Sequence, residues 1–331
     1  MYQEFYGFTE RPFSETADPD FLYLSPKHRE GLAHLEYSIL DGKGFTVLCG
    51  DVGTGKTTLC KAIIERLSSD KILFVHILYS RLTFQEFLLE LTDQLGLSIK
   101  RREKWDLLKS MKKHLMDLHK QNKKVVVILD EAQDVEPSVL EEIRLFSNIE
   151  AEKEKLIQII LVGQPQLMDI LKRPDMIQIR QRISGYYYLK PLTLEETKEY
   201  ISYRLSRVQD KPSVRFTSDA VALIYKATKG VPRMINLLCD FSIMEAFVDE
   251  VWTINSEHVK RAVAELNDPQ LSLEIDDEQE GGEEEKEALV APQPGFPMVG
   301  EEKKVEVEIQ QEPREGKKRS IWDVLCFWRR K

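Results

Sequence analysis

The stretch "VLCGDVGTGKTTLC", residues 47–60, sets the reading of the whole chain. A short apolar run meets a glycine-rich turn. A lysine, two threonines and a helical pattern follow. Gly50, Gly55, Lys56 and Thr57 fit the spacing G-x-x-x-x-G-K-[ST], and each part answers a need of phosphate binding. Glycines let the backbone curl so that successive N–H groups converge on an anion. A helix beginning at this point adds the positive end of its dipole. Lys56 suits the β- and γ-phosphates of a nucleotide such as ATP, and the Thr57 hydroxyl suits Mg²⁺. Asp51, Val52, Gly53, Thr54 and Thr58 complete the expected cradle.

A loop of this kind needs an acidic partner for the metal. "VVVILDEAQD" supplies one, with an apolar run ending in Asp130 and Glu131. Asp130, at the C-terminal edge of a strand, is expected to bind Mg²⁺ mostly through water. Glu131 beside it is expected to polarise an attacking water, which points to hydrolysis rather than binding alone. A further strand ends in "ILVGQPQ", where Gln164 is a candidate to hold that water or to sense the γ-phosphate. In "MIQIRQRISGYYY", Arg182, with Arg180 as a second candidate, is expected to reach the γ-phosphate of a neighbouring subunit. In "KGVPRMINLLCD", Arg233 follows Pro232 at a helix start, placed to fold back on the phosphates.

Outward from these motifs, residues 44–191 read as alternating strands and helices. The strand runs lack alternation, as strands covered on both faces do. The pattern predicts an α/β fold with a five-stranded parallel sheet between helices. Residues 192–267 change to helices only and predict a small all-helical lid domain. The lid opens with Thr193 three residues before Glu196, a capping-box spacing. Residues 1–43 are an aromatic N-terminal segment expected to pack on the α/β core. Residues 268–316, rich in Glu, Pro and Gly, read as a disordered acidic linker.

The net charge of −9 hides an asymmetry. Residues 268–316 carry 16 acids and 4 bases, and residues 317–331 carry 6 bases and 1 acid. The rest of the chain is nearly neutral, which argues against a strongly basic nucleic-acid binder. Cys49, Cys60, Cys239 and Cys326 form no close pair, so reduced thiols are expected. No run approaches the ~18 apolar residues of a spanning helix, and the N-terminus lacks the order of a signal peptide. The expected compartment is the cytoplasm.

The five motifs in order, together with "FYGFTERPFSETADPDFLYLSPKHREGLAHLEYSILDGKGF" before them, resemble the AAA+ ATPases of the general secretion pathway protein A type. They also resemble the ATPases encoded with bacterial exopolysaccharide and exosortase loci. The resemblance covers about residues 1–267. It implies a P-loop NTPase (AAA+) fold that hydrolyses ATP with Mg²⁺. Residues Gly50 to Thr58 would be Walker A, Asp130 and Glu131 Walker B, Gln164 sensor 1, Arg182 the arginine finger and Arg233 sensor 2. It further implies a ring-like homo-oligomer that works with secretion or polysaccharide-export proteins at the inner membrane. Secretion members of the family often continue through a transmembrane helix into a peptidoglycan-binding domain. This sequence shows neither, which favours the shorter, polymer-associated type.

The stretch "KKRSIWDVLCFWRRK", residues 317–331, places Ile321, Val324, Leu325 and Trp328 on one helical face. Such a segment suits an anionic membrane surface, with basic residues on lipid headgroups, or a membrane partner protein; docking back on the body of the protein is the alternative. A DNA-binding ATPase of the transposition-helper type and a slow, nucleotide-gated scaffold are the competing readings. The near-neutral body weighs against the first of these.

Overall fold

The structure is a computed structural model and describes residues 2–14, 21–78, 81–99, 103–151, 154–208 and 214–266. The acidic linker expected over 268–316 and the amphipathic segment expected over 317–331 lie outside the described residues. Two helices, α1 (Tyr2–Tyr6) and α2 (Pro26–Leu40), precede β1 (Phe45–Gly50), which leads into α3 (Lys56–Leu67) and β2 (Ile72–Ile77). Next come α4 (Phe84–Gln94), α5 (Lys104–Lys120), β3 (Lys124–Leu129) and α6 (Pro137–Ser147). A two-residue antiparallel pair, β4 (Glu150–Ala151) and β5 (Glu154–Lys155), precedes β6 (Ile157–Gly163). Short helices α7 (Pro165–Lys172) and α8 (Ile177–Arg180) lead to β7 (Ile183–Leu189).

The five long strands form one sheet in the order β2-β3-β6-β1-β7, all parallel. This agrees with the expected five-stranded α/β architecture. Successive residues of the central strands serve opposite faces, as a pleated strand requires. Val47, Val127 and Leu161 join α4, α5 and α6 in one cluster around Phe87, Leu91, Leu107 and Ile143. Leu48, Val126, Ile128 and Val162 join α2 and α3 around Leu35, Leu59 and Ile63. Cys49, Cys60 and Cys239 are buried and free, and burial pushes the Cys60 thiol well up.

Past β7 the elements become helical. They are α9 (Leu194–Val208), α10 (Ser218–Thr228), α11 (Pro232–Val248) and α12 (Ser256–Leu266). A two-residue parallel pair, β8 (Arg215–Phe216) and β9 (Thr253–Ile254), joins the starts of α10 and α12. The capping box at α9 is made. Thr193 N–H donates to Glu196 Oε2 at 2.8 Å, and Glu196 N–H donates to Thr193 Oγ1 at 3.2 Å. Among the described residues, no helix is long and apolar enough to cross a membrane.

The N-terminal segment departs from the expectation that residues 1–43 pack on the ATPase core. Only α2 does so. Tyr2, Tyr6, Phe8, Phe13 and Phe21 enter the apolar cluster of the helical lid, with Tyr200, Leu205, Ile235 and Leu238. Full burial of a ring such as Phe13 contributes about 2–3 kcal/mol, so the aromatic run has more to gain from the lid's open apolar side than from the already covered sheet. Polar ties fix the register. Thr9 N–H donates to Val208 O at 3.0 Å, and the Tyr6 hydroxyl donates to Val251 O at 2.8 Å. Arg204 in α9 donates from Nε to Pro12 O at 2.6 Å and from Nη2 to Ser14 O at 3.1 Å.

The lid meets the chain leaving β7 at Gly230, whose φ is +75°. Leu192 N–H donates to Gly230 O at 2.9 Å, and a Cβ on Gly230 would lie 1.9 Å from Leu192 O. Backbone runs against backbone there, and only glycine permits it. Gly230→Ala is expected to destabilise the protein by at least about 2 kcal/mol, seen as a lower urea midpoint. An unchanged midpoint would mean that the two segments separate freely.

Candidate functional site

The ends of β1, β3 and β6 lie side by side at the carboxyl edge of the sheet. There the chain turns outward and backbone groups become free for a ligand. Cys49 pairs with Gly163, and Leu129 with Leu161, so the segments that follow meet at one level. After Gly50 the loop turns through two left-handed glycines, Gly53 at φ +79° and Gly55 at φ +98°. Gly55 is the N-cap of α3, and Lys56 is its first residue. The first N–H groups of α3 therefore open into the loop with no intrahelical acceptor. Lys56 is buried, and its Nζ donates to Gly50 O at 2.8 Å and Asp51 O at 3.0 Å. Burial lowers the Lys56 ammonium from its usual value, and the charges of Glu131 and Asp130 oppose that shift.

The acidic half is joined to the loop directly. Thr57 Oγ1 donates to Asp130 Oδ2 at 2.7 Å. Burial pushes the buried Asp130 carboxyl upward. His76, the Thr57 hydroxyl and the Glu131 N–H, which donates to Oδ1 at 3.0 Å, outweigh it and leave the group below its usual value. It is a carboxylate at neutral pH. His76 Nε2, in β2, lies 3.8 Å from Asp130 Oδ2 and is buried with no hydrogen-bond partner. A hydroxyl oxygen beside an ionised carboxylate is the donor set of a hard divalent cation that keeps most of its water, as Mg²⁺ does. Among the described residues, no group of three His, Cys, Asp or Glu side chains could hold a metal by itself.

Glu131 sits at φ +51°, ψ +41°, a left-handed conformation that costs a non-glycine residue of order 1 kcal/mol. Its Oε2 accepts from Gln133 Nε2 at 2.6 Å and from Gln164 Nε2 at 3.1 Å. Gln133 Oε1 in turn accepts from Gln164 N–H at 3.0 Å. A Cβ on Gly163 would lie 2.8 Å from that oxygen, so the glycine makes space for the clasp. Gln133 was missed by the sequence reading, although its spacing two residues after Glu131 in "DEAQD" was the available signal.

The other predicted residues divide. Arg233, at the start of α11, lines the cavity over the loop, and its N–H donates to Gly53 O at 3.2 Å. A Cβ on Gly53 would lie 2.7 Å from Arg233 Cβ, so the lid helix begins in contact with the loop. Arg182 bonds Asn148 Oδ1 after α6, and Arg180 donates to Lys172 O at 3.3 Å. Neither arginine lines this chain's own cavity. The cavity holds about 270 Å³ between Gly53–Thr58, Glu131 and Arg233 on one part of its wall and lid and N-terminal side chains on the rest.

His28 was also missed. It is buried in α2, its Nδ1 lies 2.8 Å from Ser25 Oγ, and its Nε2 lies 3.1 Å from Thr54 O. The imidazole thus supports the phosphate loop at Thr54 and also lines the cavity.

A model of the AAA domain matches residues 39–171. General secretion pathway protein A of Aeromonas hydrophila is 38% identical over 248 residues, which are 75% of this chain and 45% of that protein. The chain is an AAA+ P-loop protein. It spans less than half the length of that curated relative. Among solved structures, Cdc6p from Pyrobaculum aerophilum is similar at TM-score 0.62 and 19% identity, over 77% of this chain and 70% of that one. The ORC2 protein of Aeropyrum pernix, solved as ADPNP–ADP complexes, is similar at TM-score 0.59 and 19% identity, over 78% and 72%. These likenesses are of fold. Within this AAA+ protein, the matched span runs from the end of α2 through α7 and includes the phosphate loop, Asp130, Glu131 and Gln164.

Burial lowers the His28 imidazole below its usual value, and the bond to Thr54 O opposes this only in part. A histidine held neutral stabilises the fold above its ordinary value near ~6.5, and that contribution is lost as pH falls. Urea stability is therefore expected to fall as the pH drops below about 6.5, and His28→Gln is expected to shrink the fall. An unaltered drop in the variant would assign it to other groups.

Proposed function

We propose that this AAA+ protein binds ATP with Mg²⁺, hydrolyses it, and acts as a homo-oligomer on a secretion or polysaccharide-export apparatus at the cytoplasmic face of the inner membrane. The observation that carries the hydrolytic part is the join between the phosphate loop and the end of β3, made by Thr57 and Asp130, with Glu131 clasped beside it. In this reading the N–H groups of residues 51–58 and the Lys56 ammonium bind the β- and γ-phosphates. Lys56 exchanges its two loop carbonyls for phosphate oxygens. Thr57 and Asp130 hold the metal, which when bound screens phosphate charge.

Glu131 takes the proton of the attacking water, and Gln164, bonded to the same carboxylate, orients that water. The water oxygen bonds to the γ-phosphorus as the bond from that phosphorus to the β–γ bridging oxygen breaks, and ADP and inorganic phosphate leave. Arg233 joins lid position to phosphate occupancy through its contact with Gly53. Arg182 of one subunit serves the nucleotide of the next. Kinship with general secretion pathway protein A supports the export role. The basic, tryptophan-containing residues 317–331 support docking on anionic lipid.

Lys56→Ala is expected to abolish nucleotide binding. Glu131→Gln is expected to keep binding, to slow turnover by about 10²-fold or more, and to accumulate an oligomer on sedimentation. Rapid hydrolysis by the Glu131 variant would move the water-activating role elsewhere. Anionic liposomes are expected to raise the ATPase rate of the full chain, whereas stimulation by duplex DNA alone would place the protein with the transposition helpers.

A further inference from the structure

The part of the cavity wall away from the phosphate loop is built by Leu192, Tyr200, Arg204 and Asn236 of the lid and by Phe21 and Tyr23 of the N-terminal segment. Three of these side chains form a hydrogen-bonded series with a fixed direction. Arg204 is buried, with its guanidinium carbon 4.8 Å from the centre of the Phe21 ring and two of its nitrogens committed to Pro12 O and Ser14 O. Its remaining nitrogen, Nη1, donates to the Tyr200 hydroxyl at 3.0 Å. The Tyr200 hydroxyl donates to Asn236 Oδ1 at 2.7 Å.

A guanidinium has donors only, so the Tyr200 oxygen accepts from Arg204 and its own hydrogen is left for Asn236. Turning the Asn236 amide over would strand that hydrogen in a buried site, at the cost of an unmade hydrogen bond. Burial raises the Tyr200 phenol from its usual value, against the pull of Arg204, so the hydrogen is retained at neutral pH. The Asn236 oxygen is therefore occupied, and its NH₂ is the polar group that the amide has left to offer at the cavity wall. Asn236 lies one turn along α11 from Arg233.

We propose that Asn236 recognises the base: its NH₂, aimed by Arg204 through Tyr200, donates to a ring nitrogen of adenine. This rests on the nucleotide reading above and deepens it. The N-terminal segment enters base recognition through this series, because Pro12, Ser14 and Phe21 hold the arginine from which it starts. Asn236 acts as the reader, and Tyr200 and Arg204 are positioning residues.

The test is calorimetric binding of ADP and of pyrophosphate to the full chain, wild type and variants. Asn236→Asp keeps the shape and still accepts from Tyr200, but puts an oxygen where the donor was. ADP affinity is expected to fall about tenfold, with pyrophosphate affinity unchanged. Tyr200→Phe frees the amide to turn and is expected to cost about threefold in ADP affinity, again without effect on pyrophosphate. The proposal is overturned if Asn236→Asp binds ADP within about twofold of wild type. It is equally overturned if ADP and pyrophosphate weaken together in both variants, since the loss would then lie in the phosphate loop. A wild-type chain that binds neither ligand would overturn the nucleotide reading itself.

Discussion

The hydrogen bond from the Thr57 hydroxyl to the Asp130 carboxylate ties the loop after β1 to the end of β3, across the width of β6. It forms only if three strands end at matching heights. Leu48 must face Val162, and Leu129 must face Leu161. A slip of one residue in either ladder would turn every side chain of that strand to the wrong face and separate hydroxyl from carboxylate. The apolar packing on both sides of the sheet therefore does more than stabilise it. By fixing register, that packing sets the distance between the phosphate loop and the acidic pair, and with it the position of Gln164 at the end of β6.

How much of this was legible in the sequence follows from how local each feature is. The phosphate loop is one contiguous stretch with its own glycines, so Gly50 through Thr58 were readable. Asp130 and Glu131 stand at the end of an apolar run that can only be a strand, and Gln164 repeats that logic one strand on. The α/β core and the helical lid were legible for the same reason. The fate of residues 2–14 and of Phe21 was not. An aromatic run signals burial but carries no address, and its partners in α9 and α11 lie far along the chain, 192 residues for Pro12 with Arg204 and 238 for Tyr2 with Asp240. His28 was hidden likewise, because a histidine in an amphipathic helix gives no sign that its ring will reach the Thr54 carbonyl. Arg182, singled out by its place before the last strand, pairs within its own chain with Asn148, and its proposed use belongs to an assembly of several chains.

The lid and the N-terminal segment make one apolar cluster, and this cluster touches the phosphate loop at few points. Arg233 N–H meets Gly53 O, and the side chains of Arg233 and Val231 crowd the place a Cβ on Gly53 would take. Lid helices that shift relative to the sheet must therefore carry residues 2–14 with them, since those residues are bonded to α9 and buried among α9–α11. The cavity lies between the two bodies and is shaped by both. A ligand filling it touches the sheet edge through its charged end and the lid through its remainder, so its binding energy bears on the angle between them.

Glu131 adopts a left-handed backbone that glycine or asparagine would accept with less strain. The fold thus holds a carboxylate where the backbone alone would favour a different residue. Protein engineers who select this chain for heat resistance should find position 131 among the easiest to improve and among the most harmful to change. On the role proposed above for Glu131, a search guided by stability alone would drift toward a rigid, inert scaffold, and screens for durable variants would need an activity filter at that codon.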